Sequence, residues 1–336
     1  MSGGNARTVS SAAPWGLYLA GAGLLVAAAA GSVLVGPGGG LFALWRDDPG
    51  LAALIAVEIR LPRLALALVT GATLGLSGAA LQGLLRNPLA EPGLIGASSS
   101  AALGAVLVLY FGLSAAVPLA LPLAGMAGAL VSVVLLALLV GREAGTLTLI
   151  LAGIAINSFA TALTALALNL APNPYAVYEI VFWLLGSVAD RDLDQLALIA
   201  APVALGWLLL LTSGRGLDAL GLGEEVARSL GVRTGRLFAQ VVLGTALAVG
   251  AVVSVTGVIG FVGLVVPHLV RPLLGYQPGR LLLPSALAGA VLLVVADVAV
   301  RLAQPAGGEL RLGVVTALVG APFFLWLLLE TRRRML

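Results

Sequence analysis

Apolar residues in this chain neither alternate nor keep to one helical face. They run on for roughly twenty positions at a time, the length an α-helix needs to cross ~30 Å of hydrocarbon. Ten such runs predict ten transmembrane helices, at about 15–35, 61–85, 94–111, 115–140, 147–168, 193–212, 235–256, 260–274, 281–303 and 312–330. The eighth is short and interrupted by Pro267. Three stretches lean polar, near 34–57, 169–194 and 212–236, and no room remains for a soluble domain. The reading is an all-α polytopic membrane protein with one transmembrane domain over 1–336.

Composition agrees, with 60% hydrophobic and only 10% charged residues among 336. A soluble domain of that balance would expose a mostly apolar surface. Cysteine is absent, which removes disulfides and thiolate metal sites. Lysine is absent too, so the chain has no Walker A lysine and no Schiff-base chemistry. The pI near 9.8 comes from arginines scattered over short loops, which fits membrane orientation better than nucleic-acid binding. With the N-terminus in the cytoplasm, Arg7, Arg86, Arg142, Arg215, Arg228, Arg233, Arg236, Arg271, Arg280 and Arg332 to Arg334 lie inside. Arg46, Arg60, Arg63, Arg191, Arg301 and Arg311 lie outside. An even number of spans also brings both termini to the cytoplasmic side. The run from Trp15 imitates a signal peptide, but the following spans need it for their orientation, so it is expected to remain.

The most specific stretch is 60–96, RLPRLALALVTGATLGLSGAALQGLLRNPLAEPGLIG. An apolar helix enters at Arg60-Leu61-Pro62-Arg63 and stops at Arg86. Pro88 and Pro92 then forbid regular helix before apolar sequence resumes. A second block runs Gly257-Val-Ile-Gly-Phe-Val-Gly-Leu-Val-Val-Pro-His-Leu-Val-Arg271, then Ala296-Asp297, Arg301, Glu309-Leu310-Arg311-Leu312-Gly313 and Gly320-Ala321-Pro322-Phe323-Phe324. Segments 71–96 and 244–275 echo one another weakly, as an inverted repeat would. Together these blocks closely resemble the permease subunits of ABC importers for iron chelates, haem and vitamin B12. There are two departures. Tyr276-Gln277-Pro278-Gly279-Arg280 replaces an acidic residue and His-Arg, and Arg311-Leu312 stands where Pro-Val is usual.

The resemblance implies the type II ABC importer permease fold and a homodimer in the bacterial inner membrane. It implies two ATP-binding cassette subunits on the cytoplasmic side and one periplasmic substrate-binding protein. No cofactor is expected to stay bound, and ATP is used by the partner subunit. The loop 214–236 is the long cytoplasmic loop. Its second half reads as a short amphipathic helix with Glu224 and Glu225 at its start, Arg228 near its end and Gly231 as C-cap. By resemblance this loop docks the ATPase through Asp218, Glu224, Glu225 and Arg228, although an interfacial helix on lipid has the same pattern. By resemblance also, Arg60, Arg63 and Arg301 meet glutamates of the binding protein. Asp297 and Arg301 lie four apart on one helix face and can pair. Asn157, Thr161 and Thr164 give the fifth span a polar, uncharged face. Such a face serves interhelical hydrogen bonds or, as the resemblance implies, lines the pathway. Arg191 is the outer candidate for greeting acidic groups of the cargo, or else a solvated residue among Asp190, Asp192 and Asp194.

His268 is the single histidine and reads as a helix-end residue beside Arg271 rather than a metal ligand. The function expected is import of an iron chelate, with haem favoured by the run Gly186 to Asp192 and with ferric siderophore or corrinoid as alternatives. A stand-alone ion-coupled transporter is a different class. It would need intramembrane carboxylates, and Asp297 is the one deep candidate. An intramembrane enzyme lacks a catalytic set.

Overall fold

The computed structural model describes residues 15–35, 40–117, 119–141, 145–303 and 310–335. Among them are ten long helices, numbered here α1 (Trp15–Leu34), α2 (Leu61–Leu85), α3 (Ala97–Tyr110), α4 (Ala120–Val140), α5 (Thr146–Asn169), α6 (Leu193–Thr212), α7 (Thr234–Thr256), α8 (Val262–Leu274), α9 (Pro278–Leu302) and α10 (Leu312–Met335). They match the ten expected runs. The side chains of Trp15, Leu17, Thr146 and residues 331–335 lie outside the description, as do Arg7, Arg142 and Glu309.

Two of the ten cannot cross a bilayer alone. α3 has 14 residues and α8 has 13, or about 20 Å of rise each. Both begin at a break. After α2, Arg86 takes a left-handed conformation at φ 48°. Asn87 then folds its side-chain oxygen back to accept from Leu89 N at 2.9 Å. A 3-10 turn, Pro92–Ile95, leads into α3. The other break follows α7, where Gly257 and Phe261 both have positive φ. Local partners of this kind are what permit irregular backbone between apolar helices.

The two breaks face each other. Gln82, buried on α2, donates to the carbonyls of Gly263 and Leu264 at 3.4 and 3.3 Å. It also accepts from Arg271 at 2.7 Å. A Cβ at Gly78 would sit 1.9 Å from the Gly263 carbonyl oxygen, so the two backbones touch there. α2 followed by α3, and α7 followed by α8, each join a long helix to a short one across a break, and Gly78 and Gln82 bring the two together.

α2 is the centre of the bundle, and its partner along most of its length is α9. Their approach depends on absent side chains. A Cβ at Gly71 would lie 2.3 Å from the Gly289 carbonyl oxygen, and one at Gly75 would lie 2.1 Å from that of Ser285. Glycines four apart let helices pack backbone to backbone, where apolar solvent gives no hydrophobic drive. Trp207 on α6 joins this core by donating to Thr73 at 2.9 Å. By contrast α4, α5, α6 and α10 expose whole rows of leucine, as lipid-facing helices do.

The polar-leaning stretches hold structure that periodicity did not reveal. Gly40–Asp47 and Pro49–Ile55 are short helices, and a π-helical turn, Ala56–Arg60, runs straight into α2. Asp48 caps the second by accepting from Leu51 N at 3.0 Å, with Pro49 at the first turn. Pro174–Leu184 is likewise a helix, with Asn173 accepting from Ala176 N at 2.9 Å. In both, a short polar cap and a proline start a helix too brief to show a clear period.

Candidate functional site

One end of the bundle carries the loop between α6 and α7, folded as two helices, Gly214–Gly221 and Glu224–Ser229. Leu217, Leu220 and Ala227 are fully buried and pin the loop to the ends of the long helices. Gly231 has φ +83° and closes the second helix, with Val232 N reaching Ala227 O at 3.0 Å. Glu224 and Arg228 pair at 2.7 Å on the outer side, and Glu225 is exposed.

Asp218 does something other than face a partner. Its carboxylate accepts from Gly279 N at 2.6 Å and from Gln277 Nε2 at 2.8 Å. Both donors lie at the N-terminus of α9, where unpaired N–H groups favour an anion. Asp218 thus fixes the loop to α9 and is a positioning residue. The exposed part of the loop includes an apolar stripe. Leu222, Val226 and Leu230 stand out at intervals of four, beside Glu225 and Arg228. The charges drew attention in the sequence, whereas this 222–226–230 spacing went unread although it was visible.

At the opposite end Arg60, Arg63 and Arg301 come together, but they turn inward. Arg63 meets Asp297 at 2.8 Å, and Arg301 meets the other oxygen of the same carboxylate at 3.2 Å. Asp297 is only 1% exposed. Arg301 also donates to the carbonyls of Ser32 and Val35 at 2.8 and 3.1 Å. Arg60 donates to the carbonyl of Val33. These are the orphan acceptors at the C-terminal end of α1, and cations suit them. Arg63 and Arg301 thus share one carboxylate, while Arg60 and Arg301 close the end of α1.

The polar face of α5 is less polar than its sequence. Thr161 Oγ1 donates to Asn157 O at 2.8 Å, and Thr164 Oγ1 to Ala160 O at 2.9 Å. Both hydroxyls are spent on the helix's own backbone. Thr161 is exposed, while Asn157 and Thr164 are half-buried. Away from α3 and α4, α5 exposes Leu147, Leu151, Ile154, Phe159 and Leu166, a face with no partner among the described residues. An 850 Å³ cavity opens between α4, α5 and α7 at the loop end, with Glu224 and Arg228 on its wall.

Arg191 lies between Pro174–Leu184 and α6 and is half-buried. Burial lowers its pKa from the ordinary arginine value. Asp190 and Asp192 oppose that effect, and the Arg311 guanidinium adds to it. His268 stacks edge-on against Phe323 of α10 at 5.6 Å. Among the described residues no three His, Asp or Glu side chains are grouped to hold a metal.

Comparison with known proteins adds the following. The model of the FecCD transport family matches residues 19–330. The vitamin B12 import system permease protein BtuC of Vibrio cholerae is 44% identical over 276 residues, covering 81% of this chain and 82% of that protein. An uncharacterized ABC transporter permease protein, YvrB, of Bacillus subtilis is 41% identical, covering 85% and 82%. A solved structure described as an inward-facing conformation of a proposed metal-chelate type ABC transporter superposes with TM-score 0.84 at 31% identity. It covers 95% of this chain and 100% of its own.

Proposed function

The chain belongs to the FecCD transport family as the permease subunit of an ABC importer, and we propose that its cargo is a corrinoid. ATP hydrolysis resides on a separate subunit. The observation that supports the corrinoid is the 44% identity, over most of both chains, to a protein named as a vitamin B12 permease.

In this reading the permease sits in the inner membrane as a homodimer with both termini cytoplasmic. The unpartnered face of α5 contributes to the pathway between the two copies, with Asn157, Thr161 and Thr164 along it. Threonines that satisfy their own hydroxyls present methyl groups, a wall over which a large amphipathic ligand slides without being held. Two ATPase subunits dock on the loop 214–236. Leu222, Val226 and Leu230 enter the ATPase, Glu225 and Arg228 rim the contact, and Asp218 holds the loop in register with α9. The loop helix walls the 850 Å³ cavity beside α4, α5 and α7. Its displacement by the ATPase therefore bears directly on those helices.

A periplasmic binding protein docks at the other end, where Arg60, Arg63 and Arg301 come together. Because these side chains are engaged internally, they act through their field more than through direct pairs. Haem is the second reading, favoured by the outer run Gly186 to Asp192 with its half-buried Arg191. Stimulation of ATPase activity in the reconstituted complex separates the two. Cobalamin-loaded binding protein is expected to stimulate it, and stimulation by haem alone would overturn the corrinoid assignment.

A further inference from the structure

A second cavity, of 430 Å³, lies at the end that carries Asp297. The helix Pro174–Leu184, the loop from it into α6, the start of α6, the end of α7 and the residue before α10 supply most of its polar groups. Four buried polar atoms on its wall have no hydrogen-bond partner among the described residues: Trp183 Nε1, Arg191 Nε, Arg311 Nε and Gln195 Oε1. Three of the four are N–H donors. Buried donors are nearly always matched, so three in one cavity call for an acceptor that the described residues do not supply.

The charges are arranged to the same end. Two guanidiniums line one half-enclosed space, and each raises the cost of the other. Arg311 is further held over the ring of Phe182, 5.1 Å from its centroid. The carboxylates facing the cavity, Glu179 and Asp190, are exposed at its rim, with Asp192 close by. They balance the charge from the solvent side and leave the inward N–H groups unmatched. Arg311 is also one of the positions where the chain departs from the pattern it otherwise resembles.

We propose that Arg191, Arg311 and Trp183 form a binding site for an oxyanion carried on a side arm of the transported chelate. This rests on the chelate-importer reading given above. A carboxylate or phosphate has enough lone pairs for all three donors, and guanidinium groups suit both. The cavity accepts a side arm and is too small for a whole macrocycle with its substituents. It is also too recessed for the lobe of a binding protein. The ring would remain in the pathway while its acidic arm is held at the outer mouth.

The test uses the full complex in proteoliposomes and two matched pairs of cargo. Cobinamide phosphate and cobinamide differ in the phosphate, and haem and its dimethyl ester differ in the carboxylates. In wild type the oxyanion-bearing member is expected to be taken up preferentially. Arg191→Gln and Arg311→Gln are each expected to cut that preference about tenfold, the worth of one charged hydrogen bond. A preference that neither variant changes overturns the proposal. So does an equal fall for both members of a pair, which is the signature of structural damage. Slower association of the binding protein with the preference intact also overturns it, because it assigns the arginines to the partner. If wild type imports none of the four compounds, the chelate reading fails, and the site is read by itself. Inorganic phosphate is titrated against purified permease in which Trp183 is the sole tryptophan. A saturable fluorescence change lost in Arg311→Gln upholds the site, and no saturable change overturns it.

Discussion

Arg63 on α2 and Asp297 on α9 meet at 2.8 Å, 234 positions apart, with the carboxylate almost wholly buried. Arg301 takes the other oxygen. Asp297 thus carries a negative charge to both guanidiniums where α1, α2 and α9 converge. Asp297→Asn keeps the shape and removes the charge that Arg63 and Arg301 both meet. The expected loss is about 3–5 kcal/mol, the size seen when one partner of a buried pair is deleted. Thermal unfolding in detergent measures it. A melting point equal to wild type would show that solvent reaches these groups. The pairing also bears on mechanism, because a carboxylate that neutralises two arginines is poorly placed to bind and release a coupling ion.

The α2–α9 seam makes a second prediction. Gly71→Ala puts a methyl group within 2.3 Å of the Gly289 carbonyl oxygen, a backbone atom that cannot step aside. The helices must separate along their length, at a cost of about 1–3 kcal/mol. Gly112, where nothing lies within 4 Å, has open space by the same measure but positive φ. Gly21, on α1, has open space within a helix, so Gly21→Ala is the proper control. Expression and melting temperature should fall for Gly71→Ala and hold for Gly21→Ala.

The spans were legible because twenty apolar residues in a row leave few alternatives. All ten expected runs became helices, and the proline breaks at 88 and 92 fell where the chain leaves helix. The short helices around 40–60 and 174–184 were not legible, since each is set by one cap and one proline. Site residues divide by a physical rule. A charge and a partner one helical turn away are visible in sequence, as for Asp297 and Arg301, but a distant partner is not. Asp218 could have faced a neighbouring subunit, and it faces Gly279 instead. Arg301 could have faced solvent, and it faces Ser32, Val35 and Asp297. The contacts to Gly279 and Ser32 lie 61 and 269 positions away. Spacing along a short helix is local, and Leu222, Val226 and Leu230 could have been found from it.

That stripe carries the third prediction. Replacing Leu222, Val226 and Leu230 by serine removes exposed apolar groups, so the bundle should lose little stability. Each side chain buried against an ATPase subunit is worth about 1.5–3 kcal/mol. The triple variant should therefore lose ATPase co-purification altogether. Glu225→Gln and Arg228→Gln, at the rim, should weaken it only a few-fold. Pull-down at graded salt distinguishes the two sets. If the charge variants abolish docking and the leucine variants do not, the contact is electrostatic and the stripe rests on lipid.

The outer arginines are to be tested through their field. Arg60→Gln removes one positive charge and one contact to the end of α1. Association of the binding protein should slow several-fold at low salt, and the difference should shrink as salt screens it. Stopped-flow association at two ionic strengths reads this directly. Equal rates at both would remove Arg60 from the docking surface.

The pathway assignment rests on α5 and is the easiest to sink. Thr161 is exposed and carries its own hydrogen bond back to Asn157 O. Replacing it therefore costs no contact with another helix. Thr161→Trp puts a large ring on the unpartnered face, and a ring there obstructs a macrocycle passing between two copies. Assembly with both partners should survive, ATP hydrolysis should continue, and uptake should fall by an order of magnitude or more. Leu138→Trp on α4 is the matched control, because that residue is 74% exposed among lipid-facing leucines. Trp is tolerated against acyl chains, so uptake in the control should stay near wild type. Thr161→Val separates size from polarity. It keeps the shape and drops a hydroxyl already spent on the backbone, so it should transport normally. If Thr161→Trp also transports normally, α5 faces lipid at this position and the pathway must be sought on another helix.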